Sequence, residues 1–563
     1  MSCGLAAKTR PTAPSSGVYR FSLPLTVQIV AFALMDYAPS TRIVSPMNDT
    51  KQNMTESGQD GEASRLPQPE GESRRPPVQK KYGFFTALAM IIGICIGSGI
   101  FFKSDNVLAA TGGSIVLGVA MFCLAAFAIV FGGITFSELA ARTEGPGGLS
   151  GMFCLAAFAI VFGGITFSEL AARTEGPGGL IAYAETFVSK RFGVAVGWFT
   201  IFGYLPSIVV VVSWAVGIYT CILFDIDAGI GLQMLIGCAF MILCFVWNML
   251  APRFAGAFQN VTTIIKLLPL LLIAFFGLVF GDPIAGLSQH GSQAAGASLA
   301  WIAAVGPVAF SYDGWIVSAA IAPELKNAKK TLPIALVVAP IIILAIYVGY
   351  FVGVSSFLGP EVVVAMGDGH VFYLAEQLFG SQFARVVAVC VVVAVMGTVN
   401  GLTLSFVRMP YALALTDDIP FSRYVRRLSR RFDMPVASGI LALAVSIFWV
   451  LLHVVTQLAG LLPNSDVSEI TIATSYILYI VLYAKVFQLW RSGDVRSRFK
   501  GVVAPVCATI GSLFICIGSM QNPAFWSCLA ASLAICVAGV VYDRFKHKPA
   551  DAWTQSEDLS ENR

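Results

Sequence analysis

Two short segments of this chain carry residue types that let a buried backbone bind a charged ligand. The first is Gly97-Ser98-Gly99-Ile100, within an otherwise apolar stretch, and the second is Gly306 to Trp315, which sets Pro307, Asp313 and Gly314 in another. A helix crossing hydrocarbon satisfies its own N–H and C=O groups, so interruption is tolerated only where the freed groups meet a cavity or a ligand. Glycines at 97 and 99 remove the steric bar to unwinding. Free N–H groups at a half-helix N-terminus suit a carboxylate, and unwound carbonyls suit an ammonium. The chemistry is therefore binding of a molecule that carries both, an α-amino acid. Alone, Gly-Ser-Gly in an apolar helix equally fits close helix packing; its pairing with the second segment favours a site.

Three further polar residues fall deep within apolar runs. Asp313 costs about 2.5–3.5 kcal/mol at the centre of a lone spanning helix, so it is expected to face water, an amine or a partner. Lys266, in Thr262-Thr263-Ile264-Ile265-Lys266, either snorkels to the interface or supplies a fixed positive charge near the first broken segment. Asn400, in Gly397-Thr398-Val399-Asn400-Gly401, makes an interhelical hydrogen bond or joins the site. His453 reads as an interfacial residue.

These residues are carried by membrane helices. Of 563 residues only 12% are charged and 56% are hydrophobic, against about 25% charged in soluble domains, and mean hydropathy is +0.77. Apolar runs approach 20 residues, enough to cross about 30 Å of hydrocarbon as helix. The reading is an all-α polytopic membrane protein with twelve spans: 84 to 109, 113 to 141, 192 to 224, 230 to 249, 255 to 280, 297 to 321, 333 to 357, 385 to 412, 436 to 458, 467 to 488, 502 to 519 and 523 to 542. The broken segments open two halves of five helices, and an odd number per half inverts the second half, which points to a binding site where the breaks cross. Alternate loops carry the cations, such as Lys190/Arg191, Lys326/Lys329/Lys330 and Arg423/Arg426/Arg427/Arg430/Arg431. The positive-inside rule thus places both termini in the cytoplasm, in a plasma or inner membrane. A net charge of +4 without a basic stripe argues against nucleic acid. Ten of the 12 cysteines lie in apolar runs, and no zinc spacing is visible; no metal, cofactor or disulfide framework is expected.

Residues 1 to 82 read as a disordered cytosolic extension, polar from Met47 to Lys81. Its apolar stretch Phe21 to Met35 is either a short anchor or lies upstream of a true start at Met47. The spanning domain is 83 to 542, and 543 to 563 is a cytosolic tail. Met121 to Leu149 recurs without mismatch as Met152 to Leu180, an exact duplicate of the second span. An added helix would invert everything after it and break the charge segregation, so one copy is expected not to span or to be absent from the native gene.

The segments GSGIF (97 to 101), FSYDGW (310 to 315), PELKNAKKTLP (323 to 333), GTVNG (397 to 401) and RMPYALA (408 to 414), with GPGGLIAYAETFVSKRFG (176 to 193), resemble the amino acid-polyamine-organocation superfamily. Within it, the chain is most similar to the L-type amino acid transporters and bacterial serine/threonine exchangers, over about 84 to 490. The resemblance implies a LeuT-like fold of 5+5 inverted helices plus two C-terminal helices. It assigns Gly97, Ser98, Gly99 and Ile100 to the substrate carboxylate side, and Phe310, Ser311, Asp313 and Gly314 to the remainder of the site. Phe310 and Ser311 would receive the ammonium through their carbonyls, and Phe310 would act as a gate. Lys266 matches a fifth-helix lysine that replaces sodium, and Asn400 joins the coupling group. Asp313 stands where relatives often carry Gly, leaving charge preference and proton coupling open. Animal relatives link to a heavy chain through a cysteine between helices three and four; only Cys221 lies nearby, so no disulfide-linked heavy chain is expected.

The leading expectation is a sodium-independent exchanger of neutral amino acids working by alternating access, with an amino acid and the lipid bilayer as partners. The alternatives are proton-coupled uptake or amino acid/amine antiport through Asp313, and a membrane sensor that binds without transport. An enzyme is not expected, since HExxH, GxxxxGK[ST] and GxSxG are absent.

Overall fold

The computed structural model describes residues 82–126, 162–173, 178–284, 305–429, 431–462 and 466–546. All belong to one unit, Pro76–Arg563; the expected cytosolic extension up to residue 81 and the expected tail from residue 547 on lie outside the described residues. Ten helices among the described residues are long and apolar enough to cross a membrane. They match ten of the twelve expected spans; the other two, 113 to 141 and 297 to 321, fall partly outside the described residues.

The first span is two helices, α1 (Phe84–Cys95) and α2 (Ser98–Ala110). Two further helices, α3 (Ile115–Ala126) and α4 (Gly163–Ala171), carry the start of the first repeat copy and part of the second. A short α5 (Leu180–Phe187) precedes the third span, α6 (Lys190–Phe199) and α7 (Leu205–Leu223) joined by one π turn. Then come α8 (Ile230–Leu250), α9 (Pro252–Phe280) and α10 (Val305–Tyr312). The second half continues with α11 (Ala328–Leu358), α12 (Pro360–Met366), α13 (His370–Phe379), α14 (Ser381–Phe406) and α15 (Met409–Ala414). The chain closes with a one-turn α16 (Ser422–Val425), α17 (Val436–Leu458), α18 (Val467–Arg491), α19 (Ala504–Ser519) and α20 (Phe525–Lys546).

The outer faces of α8, α9 and α17 expose large apolar side chains, among them Ile264, Phe275, Leu451 and Leu458, which hydrocarbon solvates and water does not. Inside the bundle small residues permit close approach: a Cβ on Gly277 of α9 would lie 2.7 Å from the Gly353 carbonyl carbon of α11. This is how spanning helices associate when the surrounding lipid is as apolar as leucine.

Two expected spans differ in detail. The sixth unwinds after Tyr312 and continues as a 3-10 helix, Val317–Glu324, instead of a second α-helical half. The eighth stops at Phe406 and resumes as α15. The short helices α5, α12 and α13 were not expected. Each is too short for a span, and α13 shows its logic in burying Val371, Leu374 and Ala375 on one side at helical spacing.

The junction of the duplicated copies, 127 to 161, lies outside the described residues. The start of the first copy and the end of the second both lie against α11. Phe122 packs its ring on Tyr347 and Phe351 at centroid distances of 6.0 and 4.9 Å, and a Cβ on Gly164 would meet the Leu336 carbonyl oxygen at 2.4 Å.

Candidate substrate site

The first break is made by two residues. Ile96 leaves the helix with φ −77° and ψ 111°, its N–H closing the last turn on the Ile92 carbonyl, and Gly97 follows with φ 176° and ψ −110°. Space selects glycine at 97, since a Cβ there would fall 1.8 Å from Thr398 Oγ1 of α14. The new helix α2 then starts at Ser98 with no side chain capping its first turn, so its leading N–H groups are directed into the break.

The second break follows Tyr312. The Asp313 N–H turns back onto the Phe310 carbonyl at 3.1 Å, and Gly314 adopts φ +86°, a left-handed conformation in which a side chain would be strained. The two breaks touch. A Cβ on Gly99 would sit 2.4 Å from Ser311 Cα, and one on Gly314 would sit 2.4 Å from Ile94 Cγ2. Close packing and unwinding, opposed in the sequence reading, therefore coincide at the same glycines.

Three side chains tie the breaks to the scaffold. Lys266 is fully buried and does not snorkel: its Nζ donates to the carbonyls of Gly93 at 2.6 Å and Ile96 at 2.8 Å, with Thr398 Oγ1 at 3.4 Å. The Tyr347 hydroxyl of α11 lies 2.8 Å from both the Cys95 and the Ser311 carbonyl oxygens, one from each break. Tyr204, at the π turn before α7, donates to Asp313 Oδ2 at 2.8 Å.

A small cavity lies where these elements meet, lined by Ile94, Cys95, Gly99, Ile208, Val212, Phe310, Asp313, Thr398 and Leu402. Of the residues expected in the site, Gly99, Phe310 and Asp313 line it. Gly97, Ser98, Ile100, Ser311 and Gly314 form the breaks around it. The two carbonyls expected to take an ammonium already have donors, Asp313 N–H on Phe310 and Tyr347 on Ser311, although each oxygen keeps a second lone pair. Asn400 is not brought to the cavity. Its Oδ1 accepts from Trp247 Nε1 and Asn248 Nδ2, and its Nδ2 donates to Ala255 and Gln259, at 2.8 to 3.1 Å. It binds α14 to α8 and α9, the interhelical alternative of the sequence reading. His453 is fully buried against the Trp214 ring at 4.9 Å.

Sequence reasoning missed Tyr204, Tyr347 and Thr398, whose only signal was a polar atom within an apolar run. It also missed a lock on the side of the cavity where α1 begins. Arg408 grips Glu324 with Nε on one carboxylate oxygen and Nη2 on the other, both side chains buried. The Tyr82 N–H donates to the Glu324 carbonyl at 3.0 Å, and the Lys326 N–H to the Tyr82 carbonyl at 2.8 Å. The residue before α1 is thereby stitched to the chain that follows the second break.

A family model described as amino acid permease matches residues 123–540. The chain is 30% identical to the serine/threonine exchanger SteT of Bacillus subtilis over 482 residues, 84% of this chain and 98% of that protein. It is 23% identical to the large neutral amino acids transporter small subunit 2 of Homo sapiens, covering 87% of this chain and 85% of that one. Among solved structures it is similar to MhsT in complex with L-phenylalanine, with a TM-score of 0.50, 13% identity, and coverage of 82% of this chain and 99% of the other; this likeness places the all-helical architecture in the LeuT-like class. The broken helices, the spanning bundle and these matches converge: the chain belongs to the amino acid permease family of the amino acid-polyamine-organocation superfamily, whose members are membrane transporters and not enzymes.

Proposed function

We propose that this chain exchanges neutral amino acids across a membrane without sodium, by alternating access around the two breaks. The observation that carries the reading is the Lys266 ammonium seated on the Gly93 and Ile96 carbonyls. Half-helix C-terminal carbonyls are where transporters of this architecture coordinate a driving cation, and here a covalently attached cation holds them. With no ion to supply a gradient, net movement in one direction is coupled to return of a second substrate.

The charges support a zwitterionic cargo. One basic side chain, Lys266, and one acidic side chain, Asp313, stand at the two breaks, so a zwitterion brings a group of each sign to the site without adding net charge. In this reading the N–H groups from Ser98 to Ile100 take the carboxylate, and the Asp313 carboxylate and the Phe310 and Ser311 carbonyls take the ammonium. The aliphatic walls Ile94, Ile208, Val212 and Leu402 take the side chain, and Phe310 covers it. The names of the relatives, a serine/threonine exchanger and a transporter of large neutral amino acids, support the same substrate class. The distribution of Lys and Arg supports cytoplasmic termini, and the burial of Cys221 within α7 supports an exchanger without a disulfide-linked heavy chain.

The test is uptake of labelled amino acids into sodium-free proteoliposomes, empty or preloaded with unlabelled substrate. Uptake that requires the preload is expected. A second reading, proton-coupled transport, rests on the Asp313 carboxylate lining the cavity on a hydroxyl partner; uptake into empty vesicles driven by an inward proton gradient would establish it instead. Binding without uptake under any gradient would leave a sensor.

A further inference from the structure

The segment between α15 and α17 is at odds with a merely solvated loop. Phe421 adopts φ +59°, a left-handed conformation strained for an aromatic residue, and leaves its ring 78% exposed. The exposed ring is unfavourable in water. Beside it, the Arg423 and Arg427 guanidinium carbons lie 5.0 and 5.4 Å from the centroid of the Tyr424 ring, and Arg423 Nη2 donates to the Tyr424 hydroxyl at 2.8 Å. Two cations are thus gathered on one aromatic ring, and Arg431 lies over the adjacent Phe432.

The nearby acids do not neutralise this group. Asp417 is tied to Arg426 at 2.9 Å, and Asp418 holds Lys546, with Lys190 at 3.9 Å. Among the described residues no carboxylate comes within ion-pair distance of Arg423, Arg427 or Arg431. Cation–π contact orients the guanidinium groups without consuming their charge, and leaves N–H forks suited to a bidentate phosphate. Next to them a surface cavity opens between Ile419, Phe421, Arg423, Tyr424 and Tyr542; Asp417 also lines it, already paired, as does Lys546.

We infer that this loop binds the headgroup of an anionic phospholipid, with its phosphate on Arg423 and Arg427 and Phe421 inserted at the headgroup–acyl boundary. The loop is bracketed by the spans Ser381–Ala414 and Val436–Leu458, which holds it at the membrane surface, and an aromatic ring is favoured at that depth. Insertion removes the exposure of Phe421, and the lipid charge relieves repulsion between the arginines. The inference depends on this loop facing an anionic leaflet and is independent of the transport reading.

The experiment uses the purified full-length protein and native mass spectrometry with phosphatidylglycerol and phosphatidylcholine of matched chains. Preferential retention of phosphatidylglycerol is expected. The double variant Arg423→Gln/Arg427→Gln should lower it by roughly thirtyfold, from the contribution of two cations at an anionic surface. Arg496→Gln/Arg498→Gln, in another exposed basic loop, should retain it. Phe421→Gly relieves the strain and should stay folded while retaining less lipid. Equal retention of both lipids, no loss in the double variant, or an equal loss in the control pair would overturn the site. Displacement of phosphatidylglycerol by millimolar inorganic phosphate would also overturn it, in favour of a free anion.

Discussion

The Lys266 ammonium donates to the Gly93 carbonyl at 2.6 Å, across the interface between α9 and the end of α1. Removing it leaves the buried carbonyls of Gly93 and Ile96 without this donor, at about 1–3 kcal/mol each. Lys266→Ala is expected to cut exchange at least tenfold while the protein still elutes as a folded species on size exclusion. Adding sodium to the variant checks the substitution directly. Recovery by sodium would show that the bared carbonyls accept an ion, and full activity without it would end the proposed role of Lys266.

Gly99 and Ser311 bring the two breaks into contact, with 2.4 Å between the would-be Cβ and Ser311 Cα. Because backbone lies opposite, the neighbour cannot swing aside. Gly99→Ala should cost about 1–3 kcal/mol of overpacking, and Gly99→Leu should abolish substrate binding by forcing α2 from α10. Binding measured by substrate-dependent thermal shift checks this; wild-type affinity in Gly99→Leu would refute the assignment.

Asp313 and Tyr204 separate charge from hydrogen bonding. Asp313→Asn keeps the shape and loses the charge, and at least a tenfold loss of exchange is expected if the carboxylate meets the ammonium. Tyr204→Phe removes a single hydrogen bond, about 1–3 kcal/mol when a charged acceptor is left behind, and should weaken apparent affinity several-fold. Initial rates over a range of substrate concentrations distinguish the two. If Asp313→Asn keeps exchange but loses acceleration by protons, the residue couples and does not bind.

His370 in α13 is buried, with Nδ1 2.6 Å from the Gly367 carbonyl and Nε2 3.3 Å from the Tyr350 hydroxyl. Burial holds its pKa below the ordinary 6.5, outweighing the Gly367 carbonyl and Asp105, which act in the opposite direction. An unfolded or opened histidine therefore binds its proton first, so the contribution of the buried neutral ring is complete above about pH 6.5 and declines as pH falls below it. Hydrogen exchange across 360–379 should accelerate from pH 7 to pH 5 after correction for intrinsic rates, and His370→Gln should flatten that dependence.

Deleting residues 121–151 yields the same product as deleting 127–157, because the copies are identical. The product joins Ala126 of α3 to Phe158, leaving one copy of the repeat, which contains α4. Expression and exchange are expected to be preserved or improved; loss of both would make the surplus copy structural.

Much of this architecture was legible because hydrocarbon imposes a simple rule: apolar runs set the spans, and the glycines at 97, 99 and 314 marked where backbone departs from it. The coarse site was legible for the same reason. What escaped depended on which polar atom meets which. Asn400 and Thr398 occupy neighbouring positions in one motif, yet only Thr398 reaches the cavity, while Asn400 turns toward α8 and α9. Helical rotation decides this, and a uniformly apolar helix carries little periodicity to reveal its rotation. Tyr347 and Tyr204 were hidden likewise, and Glu324 with Arg408 is a pairing across 84 residues.

Tyr347 has one hydroxyl proton and two carbonyls, Cys95 and Ser311, at equal distance. Only one can receive it fully at a time. An ammonium that settles on Ser311 supplies that oxygen with a donor of its own and releases the tyrosine proton to Cys95. Under the proposed binding, occupancy at the second break would be felt at the first through a proton that never leaves its oxygen. Tyr347→Phe would sever this link while leaving both carbonyls, and the ring that packs beside them, in place.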